Sequence, residues 1–330
     1  MASNTVRIVD NDNLSRAFTH LVPECYHDTE QFLNIVQWNI EWFGARKSQA
    51  KDQRRVEVVT DILAAFNADL FVFQEVAGPS RDGRYPGVLD GIADELTRQG
   101  VGDYVVYYSA AGGEQRVAMM WDRDYLRAKT EAVDLFERGH HKKPGQKDPF
   151  AGRTPLHCHF EADVGEAGRF DFQTVGVHLK AMADGATQRQ ESAEVLADWM
   201  STSASEVDAD ILVLGDWNSP PDAPEWAVIR ELDQVAFEDI NDSSDFSYLW
   251  LANSTNRFLS RIDLTAMSLA SETQLPVTRA KAVKWTPIEE ALARAGNLGD
   301  SQVRAVLREV KDSISDHLPT ITQFYFKTPA

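Results

Sequence analysis

The chain has 330 residues, 43 % apolar and 25 % charged, which is ordinary globular composition and excludes a collagen-like or low-complexity chain. Its net charge of −18 tells against a broad electrostatic grip on a polyanion, because nucleic-acid binders usually carry a basic face. Two cysteines, Cys25 and Cys158, make no disulfide framework; although one bridge is permitted, two free thiols in a reducing compartment are expected.

Residues 1–30 read as a polar lead-in to a single domain over 31–330. Arg7, Asp10, Asp12, Arg16, Glu24 and Asp28 interrupt any apolar run, so no secretory signal is seen and the expected location is cytoplasmic. No stretch reaches the length of a membrane span. Residues 34–40 alternate apolar and polar as a strand does. Val56, Val59, Leu63 and Phe66 recur at helical spacing, which predicts an amphipathic helix over 52–67, and the apolar run 69–74 predicts a buried strand.

Further along, 89–96 reads as a helix, and 104–108 and 117–121 as strands. Residues 137–155 are polar and rich in proline and glycine, hence a loop. Arg138, Lys142, Lys143, Lys147 and Arg153 cluster there, either as a solvated surface or as a phosphate-binding lip. A strand is predicted over 172–179. Thr187 and Gln190 have capping-box spacing ahead of a helix that carries Ala193, Leu196, Trp199 and Met200. Strands over 211–214, 262–267 and 320–326 and helices over 287–295 and 301–311 complete the pattern. Alternating strands and helices without a repeat or linker indicate one α/β domain with two packed sheets and outer helices.

Five segments lie at or just after the ends of predicted strands, where open α/β sheets hold ligands. They are WNIEW at 38–42, QE at 74–75, GVHL at 176–179, GDWN at 215–218 and SDHLP at 315–319. Together they gather Asn, Glu, Asp and His without cysteine. Oxygen donors suit hard cations, and histidines beside carboxylates suit acid–base work near neutral pH. Phosphoryl chemistry uses both. Each segment also has a plainer reading: a strand running into a loop, an Asx turn at Asp216, a satisfied core histidine at His178. Their joint occurrence in this order carries the case. His157 and His159 share one strand face, but no second ligand pair is visible, so they read as strand packing rather than zinc ligands.

WNIEW, QE, GDWN and SDHLP in this order resemble the endonuclease/exonuclease/phosphatase superfamily, typified by pancreatic deoxyribonuclease, over about residues 33–326. The resemblance implies a four-layer α/β sandwich, with two mixed sheets face to face and helices outside. It implies Mg²⁺, or Mn²⁺ or Ca²⁺, at Asn39, Glu75 and Asp316, with Glu41 near the metal. Asp216 and Asn218 match the pair that orients water and phosphate, and His317 matches a phosphate-contacting histidine held by Asp263. In the deoxyribonuclease-I-like branch, His178 resembles a second catalytic histidine, Glu114 its paired glutamate, and Arg153 a phosphate-contacting arginine. The implied activity is metal-dependent phosphodiester hydrolysis by an endonuclease, with nucleic acid, DNA before RNA, as substrate.

The alternatives of the same fold are a phospholipid, an inositol phosphate, an RNA end or a phosphomonoester. Ser260 stands where the inositol-phosphatase branch favours cysteine, which lowers that branch. A silent, partner-binding member is disfavoured because every matched position is chemically competent. No protein partner is inferable. The segment 271–312 is longer than compact nucleases need, with packing as its default role.

Overall fold

A computed structural model describes residues 32–46, 49–80, 84–163, 168–232, 235–237, 246–249, 259–260, 263–268, 277–282, 294 and 301–325. The expected lead-in, Cys25, Arg261, and most of the expected helix at 287–295 lie outside the described residues. The first sheet contains β1 (Phe32–Phe43), β2 (Leu70–Val76), β3 (Tyr104–Tyr108), β4 (Arg116–Asp122), β14 (Val277–Ala282) and β15 (Thr320–Tyr325), in the order β14-β15-β1-β2-β4-β3. The second contains β5 (Leu126–Ala128), β6 (Val133–Asp134), β7 (Leu156–Asp163), β8 (Arg169–His178), β9 (Ile211–Asp216), β10 (Val235–Phe237) and β13 (Asp263–Ser268). Its order is β10-β13-β9-β8-β7-β5, with β6 also on β7. A two-stranded pair, β11 (Tyr248–Leu249) and β12 (Leu259–Ser260), lies apart. Both sheets are mixed: β1 runs parallel to β2, and β8 to β9, among antiparallel pairs.

The two-residue period of the strands sorts their side chains into layers. Ile35, Leu70, Val72, Val117 and Met119 face Cys158, Phe160, Phe172, Leu212 and Leu214 between the sheets. The intervening Val36, Trp38, Phe71, Phe73 and Met120 turn outward against helices α1 (Gln49–Phe66), α2 (Val88–Gln99) and α4 (Ser301–Ser313). Val175, Val177, Val213, Leu264 and Ala266 turn outward on the other side, under α3 (Ala186–Glu206). The result is the expected α-β-β-α sandwich. Gly176 permits a close approach of the sheets, since a Cβ there would lie 2.8 Å from both Val72 and Val117.

Three local expectations change. The first strand continues to Phe43, because a bulge rather than a break follows Asn39. Thr187 and Gln190 form no capping box: a 3₁₀ turn at Ala183–Gly185 runs straight into α3 and places Thr187 inside the helix. On α2, instead, the Asp90 carboxylate accepts from the Gly87 N–H at the N-terminus. Among the described residues, no helix is long and apolar enough to cross a membrane.

Candidate active site

Between the sheets, apolar side chains give way to polar ones toward one rim. On β1 the inward series is Leu33, Ile35, Gln37, Asn39; on β9 it is Leu212, Leu214, Asp216. The C-terminal ends of β1, β2, β8 and β9 therefore meet in a polar centre. Register places Asp263 of β13 opposite Asp216 and His178 of β8 beside it.

Bulges aim the acidic groups. From Asn39 to Phe43 the chain uses four steps where its partner uses two, from Gln74 to Val76. Glu41, Trp42 and Glu75 all take positive φ there (27°, 55° and 60°), a conformation non-glycine residues adopt at a cost and mostly near functional sites. The Glu75 carboxylate accepts from the Trp42 N–H at 3.2 Å, and the Asn39 side-chain amide oxygen Oδ1 from the Glu41 N–H at 3.1 Å. Arg55, fully buried, ties the bulge to the segment before His317. It donates to the carbonyls of Ile40, Glu41 and Ile314 and pairs with Asp52.

On the second sheet, Gly215 has φ 144°, and a Cβ there would lie 2.1 Å from the Val177 carbonyl oxygen. Only glycine fits, and it delivers Asp216 into the centre. Asp216 then accepts from the Asn218 N–H at 2.9 Å in an Asx turn, and Asn218 itself sits at φ 56°. The side-chain amide of Asn218 and the guanidinium of Arg153 both donate to the Leu179 carbonyl, at 3.1 and 2.7 Å. Trp217 is wholly buried, bonded to the Leu264 carbonyl and packed edge-on against Trp226, so it supports the turn from behind.

His317 arrives on a strap pinned from three sides. Its carbonyl accepts from the Trp38 indole at 3.0 Å, its N–H donates to Ser315, and Leu249 and Leu318 bond across to the strap and to Ser247. Ser315 in turn donates to the Asn39 carbonyl. Tyr248 lies against the imidazole, ring centres 4.8 Å apart.

The Oδ2 atom of Asp216 is the hub. It lies 3.0 Å from Asn39 Nδ2, 3.6 Å from His178 Nε2 and 3.9 Å from His317 Nε2. Glu75 approaches His178 at 3.7 Å, and Asp316 approaches His317 at 4.0 Å. Asp263 accepts from His317 Nδ1–H at 2.9 Å, which leaves Nε2 facing the centre. Burial raises the Asp216 carboxyl to about 7, with Asp263 and Glu75 adding repulsion and His317 and Asn39 pulling it back. Burial alone would lower His317, but Asp263, Asp216 and Asp316 lift it to about 10. His178 goes the other way: burial and the cations Arg153 and His317 hold it well below its ordinary value. A neutral His178 can accept from Arg153, whose guanidinium lies 2.8 Å from Nε2.

Most of the expected residues thus meet: Asn39, Glu75, His178, Asp216, Asn218, Asp263, Asp316, His317 and Arg153. Glu41 sits slightly apart, paired with Lys51 at 2.6 Å, yet its charge still adds to the burial that raises Asp316. Glu114 does not meet His178. It is exposed on the loop before β4 and accepts from the Arg46 N–H at 3.3 Å, so the carboxylates beside His178 are Glu75 and Asp216. The sequence reading missed Arg55, Lys51, Tyr248 and Trp38 as positioning groups. Arg55 had a signal: it lies four, seven and eleven residues before Val59, Ile62 and Phe66, on the apolar face of α1.

The donor set fits a hard divalent cation. Burial, and after it the charges of Asp316, Asp216, Glu41 and Glu75, raise the Tyr248 phenol. All are oxygen donors, with no thiolate. Beside the centre lies a groove of about 1300 Å³ that meets it at Arg153. Arg46, Arg116, Arg138, Lys147 and Lys180 also line it, against Asp52 and Glu114. Arg138, Lys147 and Arg153 of the expected lip belong to this lining; Lys142 and Lys143 do not.

The architecture recurs in solved structures. D. rerio TDP2 carrying 14 humanizing mutations is 14 % identical, with TM-score 0.57 over 89 % of this chain and 98 % of that one. The human Nocturnin catalytic domain, with bound sulfate, is 14 % identical, with TM-score 0.58 over 91 % and 95 %. A Bacteroides thetaiotaomicron mannosyl-6-phosphatase is 16 % identical, with TM-score 0.57 over 89 % and 100 %. No curated protein sequence matches the chain. The Endonuclease/Exonuclease/phosphatase family model matches residues 36–317, and the chain belongs to that family, whose members are hydrolases acting on phosphoester bonds.

Proposed function

We propose that the chain hydrolyses phosphodiester bonds of nucleic acid, DNA before RNA, by in-line attack of water, with Mg²⁺ as cofactor. The Asp216 hub carries this reading: one buried carboxylate oxygen faces two imidazoles at 3.6 and 3.9 Å that burial and neighbouring charge drive in opposite directions. Opposed environments of this kind divide the base role from the acid role.

Asn39, Glu75 and Asp316, with Glu41 alongside, would hold the ion. Bound there, such an ion would supply positive charge to the phosphate. Asp216 and Asn218 position the attacking water. His178, neutral and flanked by Asp216 and Glu75, takes its proton once Arg153 turns from its ring nitrogen to the phosphate. His317, kept cationic by Asp263, contacts the phosphate and returns a proton to the leaving oxygen. Arg153 holds the adjoining phosphate.

The groove favours an extended anion over a small one, since its cations continue past Arg153. TDP2 of D. rerio has been seen with a single-stranded DNA product, and its fold matches this one with TM-score 0.56 at 13 % identity. A second reading, a phosphomonoesterase acting on a small phosphate ester, draws support from the net charge of −18, which disfavours long polyanions. Product release from plasmid, RNA, sphingomyelin, sugar phosphate and nucleotide monophosphate, measured side by side in Mg²⁺, tests both. Turnover of plasmid or RNA well above the small esters supports the first. The reverse order supports the second.

A further inference from the structure

At the opposite end of the second sheet, its outer face carries another set of one histidine and two aspartates. His159 lies on β7, Asp171 on β8, and Asp208 in the turn between α3 and β9. Asp208 lies eight residues before Asp216 in the chain, and β9 alone separates the two ends by about 17 Å at roughly 3.3 Å per residue.

The His159 residue is only 6 % exposed, and its Nε2 has no hydrogen-bond partner. That buried nitrogen points between two carboxylates: Asp208 Oδ2 at 3.4 Å and Asp171 Oδ2 at 3.7 Å. Both carboxylates lie at ion-pair distance, but neither makes a well-aligned hydrogen bond to this buried nitrogen, and that shortfall has a cost. The carboxylates are held in place by other means. Asp208 Oδ1 accepts from the Asp210 N–H at 2.8 Å, and the Asp208 carbonyl accepts from the Gln173 amide at 2.8 Å. Asp208 Oδ2 is thereby turned toward the imidazole. Asp171 pairs with Lys129, whose backbone N–H is bonded to the His159 carbonyl.

We propose that His159, Asp171 and Asp208 form a second metal site, one that takes a transition-metal ion of the zinc class. The spacing supports this. An ion about 2.0–2.1 Å from tetrahedral ligands holds them about 3.3–3.4 Å apart, and the two imidazole–carboxylate separations here are 3.4 and 3.7 Å, with all three atoms within 4.8 Å of one another. The donor chemistry supports it as well: an imidazole with two carboxylates suits zinc, nickel or copper better than magnesium or calcium. The Asp171 side chain is 43 % exposed, so an ion can enter from that side and water can complete its coordination. Such an ion would clamp β7, β8 and the α3–β9 turn together. Lys129 acts as the competing cation and must yield Asp171 when the metal binds.

The experiment uses full-length protein with Glu75→Gln, which weakens metal binding at the active site, stripped with chelator and then dialysed against Zn²⁺. We expect one zinc to be retained per chain by elemental analysis, with a rise in Tm. Adding Asp208→Asn, which keeps the bond from Asp210, or His159→Gln should weaken zinc about 10²-fold. Lys129→Met should tighten it about threefold. Far-UV circular dichroism of the stripped variants checks that each is folded, and the lysine variant tests the site without removing a ligand. Equal zinc retention with and without His159 or Asp208, or no retention in any variant including Lys129→Met, would overturn the proposal.

Discussion

Two clusters of one histidine and two aspartates stand at opposite ends of one sheet, and they differ in what the imidazole is given. At one end, His317 Nδ1–H is bonded to Asp263 at 2.9 Å, and all three side chains are buried. At the other, His159 Nε2 stands between two carboxylates at 3.4 and 3.7 Å without a well-aligned hydrogen bond, and Asp171 opens to solvent. An imidazole held by a buried carboxylate is fixed in tautomer and stays charged, which suits proton transfer and phosphate contact. An imidazole whose nitrogen is left open between carboxylates suits a metal ion. The same residue types thus serve different chemistry according to hydrogen bonding and burial.

The largest expected effects break the first cluster. Asp216→Ala and His317→Ala should each lower kcat by on the order of 10²–10³ while far-UV circular dichroism stays unchanged. Asp263→Asn keeps an acceptor for Nδ1–H but loses the charge, so its kcat should fall by about tenfold to 10²-fold, less than for His317→Ala. The matching change at the other end, Asp208→Asn, should leave kcat within about twofold, as surface substitutions away from a site do. If Asp208→Asn slows turnover as much as Asp263→Asn, the two ends are not separate.

Arg55→Met tests positioning rather than chemistry. It removes the ion-pair partner of Asp52 and the donor to the carbonyls of Ile40, Glu41 and Ile314, and should lower stability by about 3–5 kcal/mol in urea unfolding. The smallest effect is expected in the groove. Arg138→Ala with Lys147→Ala should raise KM for plasmid but not for a dinucleotide ester, and flatten the salt dependence by about one unit for each phosphate no longer neutralised.

The first cluster was legible in the sequence and the second was not, for a physical reason. Asn39, Glu75 and Asp216 lie near or at the C-terminal ends of strands and His317 just before one, each in a short, distinctive run, so local sequence marks them. His159 showed only as one of two histidines on a strand; Asp171 and Asp208 are distant in sequence and meet it through strand pairing and a turn. The layers were legible because strand residues alternate cleanly. The short strands β5, β6 and β10 were not, since two or three residues give too little periodicity to detect. Glu114 went astray for a related reason: a loop before β4 can face either way, and the turn at Gly112 directs it to Arg46.

Supercoiled plasmid incubated with purified protein in Mg²⁺, Mn²⁺ or EDTA, beside His317→Ala, tests the central claim most directly. Metal-dependent nicking by the wild type, abolished by EDTA and by the substitution, is the predicted result. Folded wild-type protein that leaves plasmid intact in every metal, or a His317→Ala variant that nicks as well as the wild type, would contradict it.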